Sequence, residues 1–158
     1  HDTFRGRQSF DVARQLGDFV IAKADGTAAY QLAVVVDDAE SSVTDVVRGD
    51  DLLDSTPRQI LLYRALGLSN RIPRYTHLPL VIGPDGRRLA KRHGDTRLAH
   101  YRDAGVPPAR VLQLLARWTG IQNALEARHP ADLLQMFRLE RLPHSPIVLT
   151  KDTLPGPL

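Results

Sequence analysis

The basic segment RRLAKRHG, residues 87–94, contains the side chains best suited to phosphate chemistry in this sequence. Lys91 stands among arginines, although lysine occurs at only three positions of the chain. An ammonium group is a compact point charge that suits a triphosphate, and charge stabilisation contributes most of the catalysis in nucleotidyl transfer. His93 is a further candidate for nucleotide contact. A basic loop that only faces solvent is the competing interpretation.

Two residues in the first half of the chain are candidates for binding a small anion. The ring of Tyr30 can pack against a core while its hydroxyl reaches a cleft, although a half-buried core tyrosine is the commoner case. Arg48 lies in the stretch VVRGDD, and a guanidinium binds a carboxylate with two parallel hydrogen bonds. The alternative for Arg48 is a salt bridge to Asp50 or another acidic neighbour.

Other titratable residues indicate weaker possibilities. Asp37 and Asp38 could form a general acid/base pair, but neighbouring residues of a strand point to opposite faces. His77 is a candidate for nucleotide contact, although a single histidine more often has a structural role. The six histidines have no H-x-x-x-H pairing, and the chain has no cysteine. These counts argue against a metal site and exclude a disulfide or a cysteine nucleophile within this chain.

The elements that must position these residues begin with strand patterns. Residues 19–23 and 29–36 are rich in β-prone side chains, and Asp25-Gly26 between them is a turn signal. The run LAVVV, residues 32–36, predicts a strand buried on both faces that ends at Asp37. Residues 78–82, LPLVI, predict another short buried strand, and GPDG after it predicts a turn.

Helices are predicted in the middle and throughout the second half. Thr56-Pro57 fits an N-cap followed by the first helical position, and Gly67 fits the end of that helix. After residue 94 the pattern becomes helical, with one helix that ends at Gly105, another that begins at Pro107-Pro108 and a third that begins at Pro130. The predicted architecture is therefore α/β first and helical second.

Charge and hydropathy narrow the classes of partner. Residues 11–54 contain ten acidic and three basic side chains, whereas residues 87–128 contain nine basic and three acidic ones. A basic second half favours a polyanion as partner, such as nucleic acid or a nucleotide phosphate, and a solvated basic helical face is the alternative. No apolar run approaches the roughly 18 residues of a membrane span, so no membrane crossing is predicted.

These segments follow an order that resembles the glutamyl branch of the class I aminoacyl-tRNA synthetases, over about residues 17–120. The likeness rests on GDFVIAKADGTAAYQLAVVVDD, on VVRGDDLLDSTPRQILLYRALGL and on HLPLVIGPDGRRLAKRHGD. Within the last of these, RLAKR resembles the KMSKS signature of class I synthetases, which is usually KLSKR in this branch. Ala90 replaces the serine of that motif, and the lysine after it is retained as Lys91.

The resemblance implies an α/β fold, the second half of a class I Rossmann-like nucleotidyl-transferase catalytic domain followed by a small helical segment. Residues 1–86 would form the C-terminal half of the catalytic domain. Residues 87–158 would provide the KMSKS-type loop and a helical, stem-contact-like segment with an extended tail.

The resemblance also implies roles for individual residues. Tyr30 and Arg48 match positions that hold glutamate, and Lys91 matches the catalytic lysine that contacts ATP, with Arg92 and His93 beside it. ATP would be a substrate, and zinc is expected only in a cysteine-rich segment of the complete enzyme that this chain does not contain. The implied partners are glutamate and tRNA, in the cytoplasm and without a membrane.

Two families of this branch fit the sequence. AYQLA, residues 29–33, and the tail LPHSPIVL resemble the glutamyl-Q tRNA(Asp) synthetases, which attach glutamate to the queuosine base of tRNA(Asp) and lack an anticodon-binding domain. The end of the chain at Leu158 favours the same family. A glutamyl-tRNA synthetase that charges tRNA(Glu) is the alternative.

The first residues, HDTFRGRQS, lack an initiator methionine and the apolar stretch of a signal peptide. The HIGH motif, the first glutamate-binding residues and the zinc site of the family all belong before His1. We therefore expect that this chain needs a missing N-terminal half, in cis or in trans, and does not activate glutamate alone. A subunit of a split enzyme and a non-catalytic RNA-binding paralogue are alternatives.

Overall fold

The computed structural model describes residues 1–89, 97–122 and 127–150, and the chain divides into the units His1–Leu78 and Pro79–Leu158. The first unit contains helix α1 (Tyr30–Glu40), strand β1 (Asp45–Gly49), helix α2 (Ser55–Ala65) and strand β2 (Arg74–Leu78). The second contains strand β3 (Val81–Ile82), helices α3 (Leu98–Asp103), α4 (Pro108–Trp118) and α5 (Pro130–Leu134), and strand β4 (Ile147–Val148).

A β-α-β arrangement organises the first unit. Strands β1 and β2 are parallel, in a register that runs from Asp45 opposite Arg74 to Gly49 opposite Leu78. Parallel neighbours require a crossover connection, and α2 lies within it. The N–H of Thr3 donates to the carbonyl of Tyr75 at 2.8 Å, so the first residues of the chain run along the other edge of β2. The predicted α/β class is thereby confirmed.

The prediction of a strand over residues 29–36 is wrong, because these residues form most of α1. A short apolar run has the same pattern in a buried strand and in a buried helix. Packing decides here: Val35 and Ala39, one helical turn apart, are buried against Leu62 and Tyr63 of α2. The turn at Asp25-Gly26 is confirmed together with a short antiparallel pairing across it, since Lys23 N–H donates to Thr27 O at 2.8 Å and Ala22 and Ala28 form an antiparallel bridge.

Helix α2 occurs where it was predicted, but its N-terminus differs from the expectation. Its N-cap is Asp54 rather than Thr56, and the Asp54 side chain makes no capping hydrogen bond. Thr56 therefore lies inside the first turn, with its hydroxyl available for another contact. The predicted end is confirmed, because Gly67 has a φ of +73° and the N–H of Leu68 donates to Tyr63 O at 2.7 Å.

The single strand predicted over residues 78–82 is divided in two. Leu78 ends β2 in the first unit, whereas Val81 and Ile82 pair in parallel with Ile147 and Val148 in the second unit. Pro79 has no N–H and cannot continue a ladder of hydrogen bonds, which accounts for the break. The turn predicted at GPDG is confirmed by the Gly86 N–H, which donates to Gly83 O at 3.0 Å.

The second unit is mainly helical, as expected. Leu112, Leu114 and Ala116 of α4 are buried, and Ala116 packs with Ile121, Leu133 and Phe137. The predicted start of α4 at Pro107-Pro108 is confirmed. None of the helices in the described parts of the chain has the length and apolar character needed to cross a membrane.

Candidate active site

The carboxyl ends of β1 and β2 bring Arg48 and His77 together. The two residues are direct partners in the register of the parallel pair. Aligned residues of neighbouring strands have side chains on the same face, so the two contact each other. The Arg48 Nε–H donates to His77 Nε2 at 3.0 Å. In α/β sheets the carboxyl ends of the strands are the usual location of a binding site.

His77 connects Arg48 to a buried carboxylate at Asp2. His77 is fully buried, and its Nδ1 lies 2.6 Å from Asp2 Oδ2. Because Nε2 accepts from Arg48, the ring proton belongs on Nδ1, which donates to Asp2. His77 is therefore a neutral imidazole with both nitrogens engaged. Of the two roles considered for His77 from the sequence, its complete burial agrees with the structural one, which is the commoner for a single histidine.

Asp2 is held by the backbone as well as by His77. Its carboxylate accepts from the N–H groups of Phe4 at 3.0 Å, Arg5 at 2.7 Å and His77 at 3.1 Å. Burial raises the pKa of Asp2, but the hydrogen bonds from Arg5 and His77 outweigh burial, and the pKa lies below its ordinary value. Asp2 is thus an anion that fixes both the loop around it and the imidazole.

Within the described part of the chain, the guanidinium of Arg48 uses two of its three nitrogens, Nε and Nη2, for hydrogen bonds to the protein. Its Nη2 donates to Thr56 Oγ1 at 2.7 Å and to Leu52 O at 3.4 Å, beside the Nε–H donated to His77. Its central carbon lies 5.2 Å above the ring of Tyr75, within the range of a cation–π contact. Among the described residues, no acceptor bonds Nη1. The arrangement leaves that nitrogen to donate to an anion.

Asp50 and Asp38 define the charge around Arg48. The predicted alternative, a salt bridge from Arg48 to Asp50, does not occur, because Asp50 pairs with Arg5. Burial raises the pKa of Asp38, the charge of Arg48 opposes that rise, and Asp37 adds to it. Asp37 and Asp38 lie on α1 rather than at the end of a strand. Arg48 is therefore a cation near an acidic group without a direct ion pair.

Tyr30 occupies the first position of α1, and its side chain is 55% exposed. Its neighbour Gln31 donates from Nε2 to Ser55 Oγ at 3.1 Å and accepts from Gln59 Nε2 at 3.0 Å. These contacts place the N-terminus of α1 beside the N-terminus of α2, where Thr56 holds Arg48. Helix N-termini carry partial positive charge, which favours anions. Tyr30 is accessible, as a residue that contacts a ligand must be.

Sequence reasoning missed the parts played by Asp2 and Thr56. Asp2 lies in an irregular segment 75 positions before His77, and no local pattern signals a contact at that separation. Thr56 carried a signal that was interpreted as a helix cap, although its hydroxyl serves Arg48 instead. The predicted ATP contacts Lys91, Arg92 and His93 lie outside the described residues.

Residues 1–155 match the family model of the catalytic domain of the class I tRNA synthetases (E and Q). The chain belongs to this family. Curated proteins and solved structures that are similar to the chain include synthetases of the same family. The family resemblance drawn from the sequence is therefore confirmed. The parallel strand pair β1 and β2 at the candidate site agrees with the α/β fold of this family.

Individual members of the family differ in the substrate stated in their names. The chain is 54% identical over 138 residues to the glutamyl-Q tRNA(Asp) synthetase of Symbiobacterium thermophilum, covering 87% of this chain and 42% of that protein. It is 44% identical over 144 residues to glutamate–tRNA ligase 2 of Halorhodospira halophila, covering 91% and 30%. The chain thus spans less than half the length of these two class I synthetases.

A solved structure of the family has a similar fold. The glutamate tRNA ligase of Elizabethkingia meningosepticum, crystallised in complex with its amino acid, superimposes with a TM-score of 0.68 at 27% identity. The match covers 86% of this chain and 30% of the ligase. Within residues 1–89, 97–122 and 127–150, no group of three or more histidine and carboxylate side chains is placed to bind a metal ion.

Proposed function

We propose that this chain is part of a ligase that activates glutamate with ATP and transfers the glutamyl group to the queuosine base of tRNA(Asp). The observation that carries the proposal is Arg48, a guanidinium held at the carboxyl end of β1 whose Nη1 has no hydrogen-bond acceptor among the residues that the structure describes. Such a group suits a carboxylate, and glutamate carries two. The 54% identity to a glutamyl-Q tRNA(Asp) synthetase supports queuosine as the acceptor.

The reaction has two steps. A carboxylate oxygen of glutamate attacks the α-phosphorus of ATP, and the bond to the leaving pyrophosphate breaks, which yields glutamyl-adenylate. A hydroxyl of the nucleic acid then attacks the activated carbonyl and releases AMP. Arg48 pairs with a carboxylate of glutamate, and Tyr30 orients the amino acid from the start of α1. Lys91 neutralises charge on the leaving pyrophosphate, with Arg92 and His93 as further contacts to ATP.

The remaining segments are assigned in the same proposal. Residues 1–86 form the C-terminal half of the catalytic domain, and residues 87–158 provide the KMSKS-type loop and the helical segment that contacts the tRNA. The basic excess over residues 87–128 supports RNA binding there, because arginine and lysine contact the phosphate backbone. The cytoplasm, where tRNA is charged, is the proposed location.

The acceptor test compares three RNAs with the natural full-length protein, ATP and radiolabelled glutamate. The RNAs are tRNA(Asp) with queuosine, tRNA(Asp) from cells that cannot make queuosine, and tRNA(Glu). We expect labelling of the first alone. Labelling of tRNA(Glu) instead would identify a glutamyl-tRNA synthetase. Binding of tRNA without labelling of any of the three would favour a non-catalytic RNA-binding paralogue.

The role of Lys91 is tested in the same protein. Lys91→Ala should lower the rate of glutamyl-adenylate formation by about 100-fold or more, the scale expected for removal of one group that stabilises transition-state charge. The KM for glutamate should change much less, because Lys91 acts on pyrophosphate. Arg87→Ala, a matched loss of one charge in the same segment, is the control. A loss of glutamate affinity without a loss of rate would contradict the assignment.

A further inference from the structure

Arg48 is held from three sides by groups that have no contact of their own with a ligand in the proposed function. His77 accepts from Nε, Thr56 accepts from Nη2, and the ring of Tyr75 lies beneath the guanidinium. A free arginine side chain adopts many rotamers, and fixing it in one of them costs conformational entropy. Groups that order it before binding remove that cost from the binding step.

His77 has a special position among these groups, because it transmits the charge of Asp2. The Asp2 carboxylate accepts from Nδ1 at 2.6 Å, and both residues are nearly inaccessible to solvent. A carboxylate behind an imidazole fixes the tautomer and the ring orientation, and makes the opposite nitrogen a better acceptor, as it does for histidines that bind metals. Here the guanidinium of Arg48 takes the place of the metal.

Thr56 completes the arrangement. Its Oγ1 lies 2.7 Å from Arg48 Nη2 and 3.2 Å from His77 Nε2, so one hydroxyl contacts both members of the pair. The hydroxyl accepts from Arg48 and can donate to the imidazole lone pair. Since Thr56 belongs to the first turn of α2, the orientation of the guanidinium is tied to that helix as well as to β2.

We propose that His77 and Thr56 are positioning residues that hold the Arg48 guanidinium with Nη1 toward the glutamate site and thereby set the affinity for glutamate. This inference rests on the proposed function, in which Arg48 binds glutamate. These two residues do not touch the substrate. Their contribution is to keep Nε and Nη2 engaged, so that Nη1 is the nitrogen left to meet the carboxylate.

Two substitutions of His77 separate positioning from folding. His77→Gln retains an acceptor near the place of Nε2, which faces Arg48, but loses the donor to Asp2. His77→Asn retains a donor near the place of Nδ1, which faces Asp2, but loses the acceptor for Arg48. Thr56→Val and Thr56→Ser form a second pair, in which only the serine keeps the hydroxyl. Steady-state glutamylation by the natural full-length protein is the assay.

We expect His77→Asn and Thr56→Val each to raise the KM for glutamate by about tenfold or more, the effect of losing one hydrogen bond to a charged group. His77→Gln and Thr56→Ser should stay within about threefold of the parent, since they restore the acceptor, and the KM for ATP should change little in all four. Partial misfolding lowers the amount of active enzyme and therefore kcat, but it leaves the KM unchanged. Thr56→Val keeps the test decisive if His77→Asn does not fold.

Arg48→Lys separates the proposed role of Arg48 in glutamate binding from the proposed role of the residues that position it. If Arg48→Lys raises the KM for glutamate while His77→Asn and Thr56→Val do not, the positioning network is refuted and the proposed role of Arg48 stands. If Arg48→Lys also leaves that KM unchanged, the role of Arg48 in glutamate binding fails and the network falls with it. An equal rise in His77→Gln and His77→Asn would also overturn the inference, because the acceptor would then be irrelevant.

Discussion

Gly120 ends α4 in a conformation and a location that together exclude any side chain. Its φ is +73°, its N–H donates to Arg117 O at 3.2 Å, and the next N–H, of Ile121, donates to Ala116 O at 2.8 Å. This pair of bonds is the Schellman ending of a helix. A Cβ added to Gly120 would lie only 2.5 Å from the backbone oxygen of Arg141. Gly120→Ala therefore meets both backbone strain and a clash with main chain.

Gly105 supplies a matched control in the same unit. It follows α3 with the same φ of +73°, and Gly105 N–H and Val106 N–H make the same two bonds, to Arg102 O at 3.0 Å and Tyr101 O at 2.9 Å. A Cβ added there would meet nothing within 4 Å among the described residues. Gly105→Ala thus isolates the cost of the backbone conformation.

The two substitutions should differ by the cost of the clash. A left-handed conformation costs a residue with a Cβ about 1–2 kcal/mol, which is the loss expected for Gly105→Ala. Gly120→Ala should lose a further 1–3 kcal/mol or so, because main chain at Arg141 must move as it does when a core is overpacked. The expected total for Gly120→Ala is about 2–5 kcal/mol.

Urea unfolding measures both losses as changes in the free energy of unfolding. Trp118 is the one tryptophan of the 158 residues and lies two positions before Gly120, so its fluorescence reports on the end of α4. Equal losses in the two variants would refute the reasoning, because they would mean that the approach of Arg141 costs nothing. A loss below about 1 kcal/mol in Gly120→Ala would refute the strain as well.

Three further predictions concern α1 and α2, Asp2 and the basic segment. Gln59→Ala should lower the free energy of unfolding by about 2 kcal/mol, because it removes a buried donor to Gln31, whereas Gln8→Ala on the surface should cost little. Asp2 has a lowered pKa, so its contribution to stability is present above its unfolded pKa, near 3.8, and is lost as the pH falls through the lower folded value. The difference in unfolding free energy between the parent and Asp2→Asn should therefore shrink below about pH 4, and a constant difference would contradict the shift. The affinity of the natural full-length protein for tRNA should fall steeply from 50 to 200 mM salt if residues 87–128 bind phosphates, and the slope should decrease in an Arg110→Ala, Arg117→Ala variant.

Some features of this protein were determined by local sequence alone. Helix α2 and helix α4 could be predicted because proline at the start and glycine after the end act on the backbone within one turn. The turn at GPDG follows from the same local rule. The family was also accessible from sequence, because its motifs are short and continuous.

Tertiary structure decided the rest, for two physical reasons. Residues 32–36 are equally apolar as a strand or as a helix, and the burial of Val35 and Ala39 against α2 selects the helix. The network around Arg48 depends on contacts between distant segments: Asp2 reaches His77 across 75 positions, and Arg48 meets His77 only because β1 and β2 are parallel and in register. Local patterns carry no information about such pairings, so the sequence indicated an arginine suited to an anion, and the fold determined which of its nitrogens are already hydrogen-bonded to the described residues.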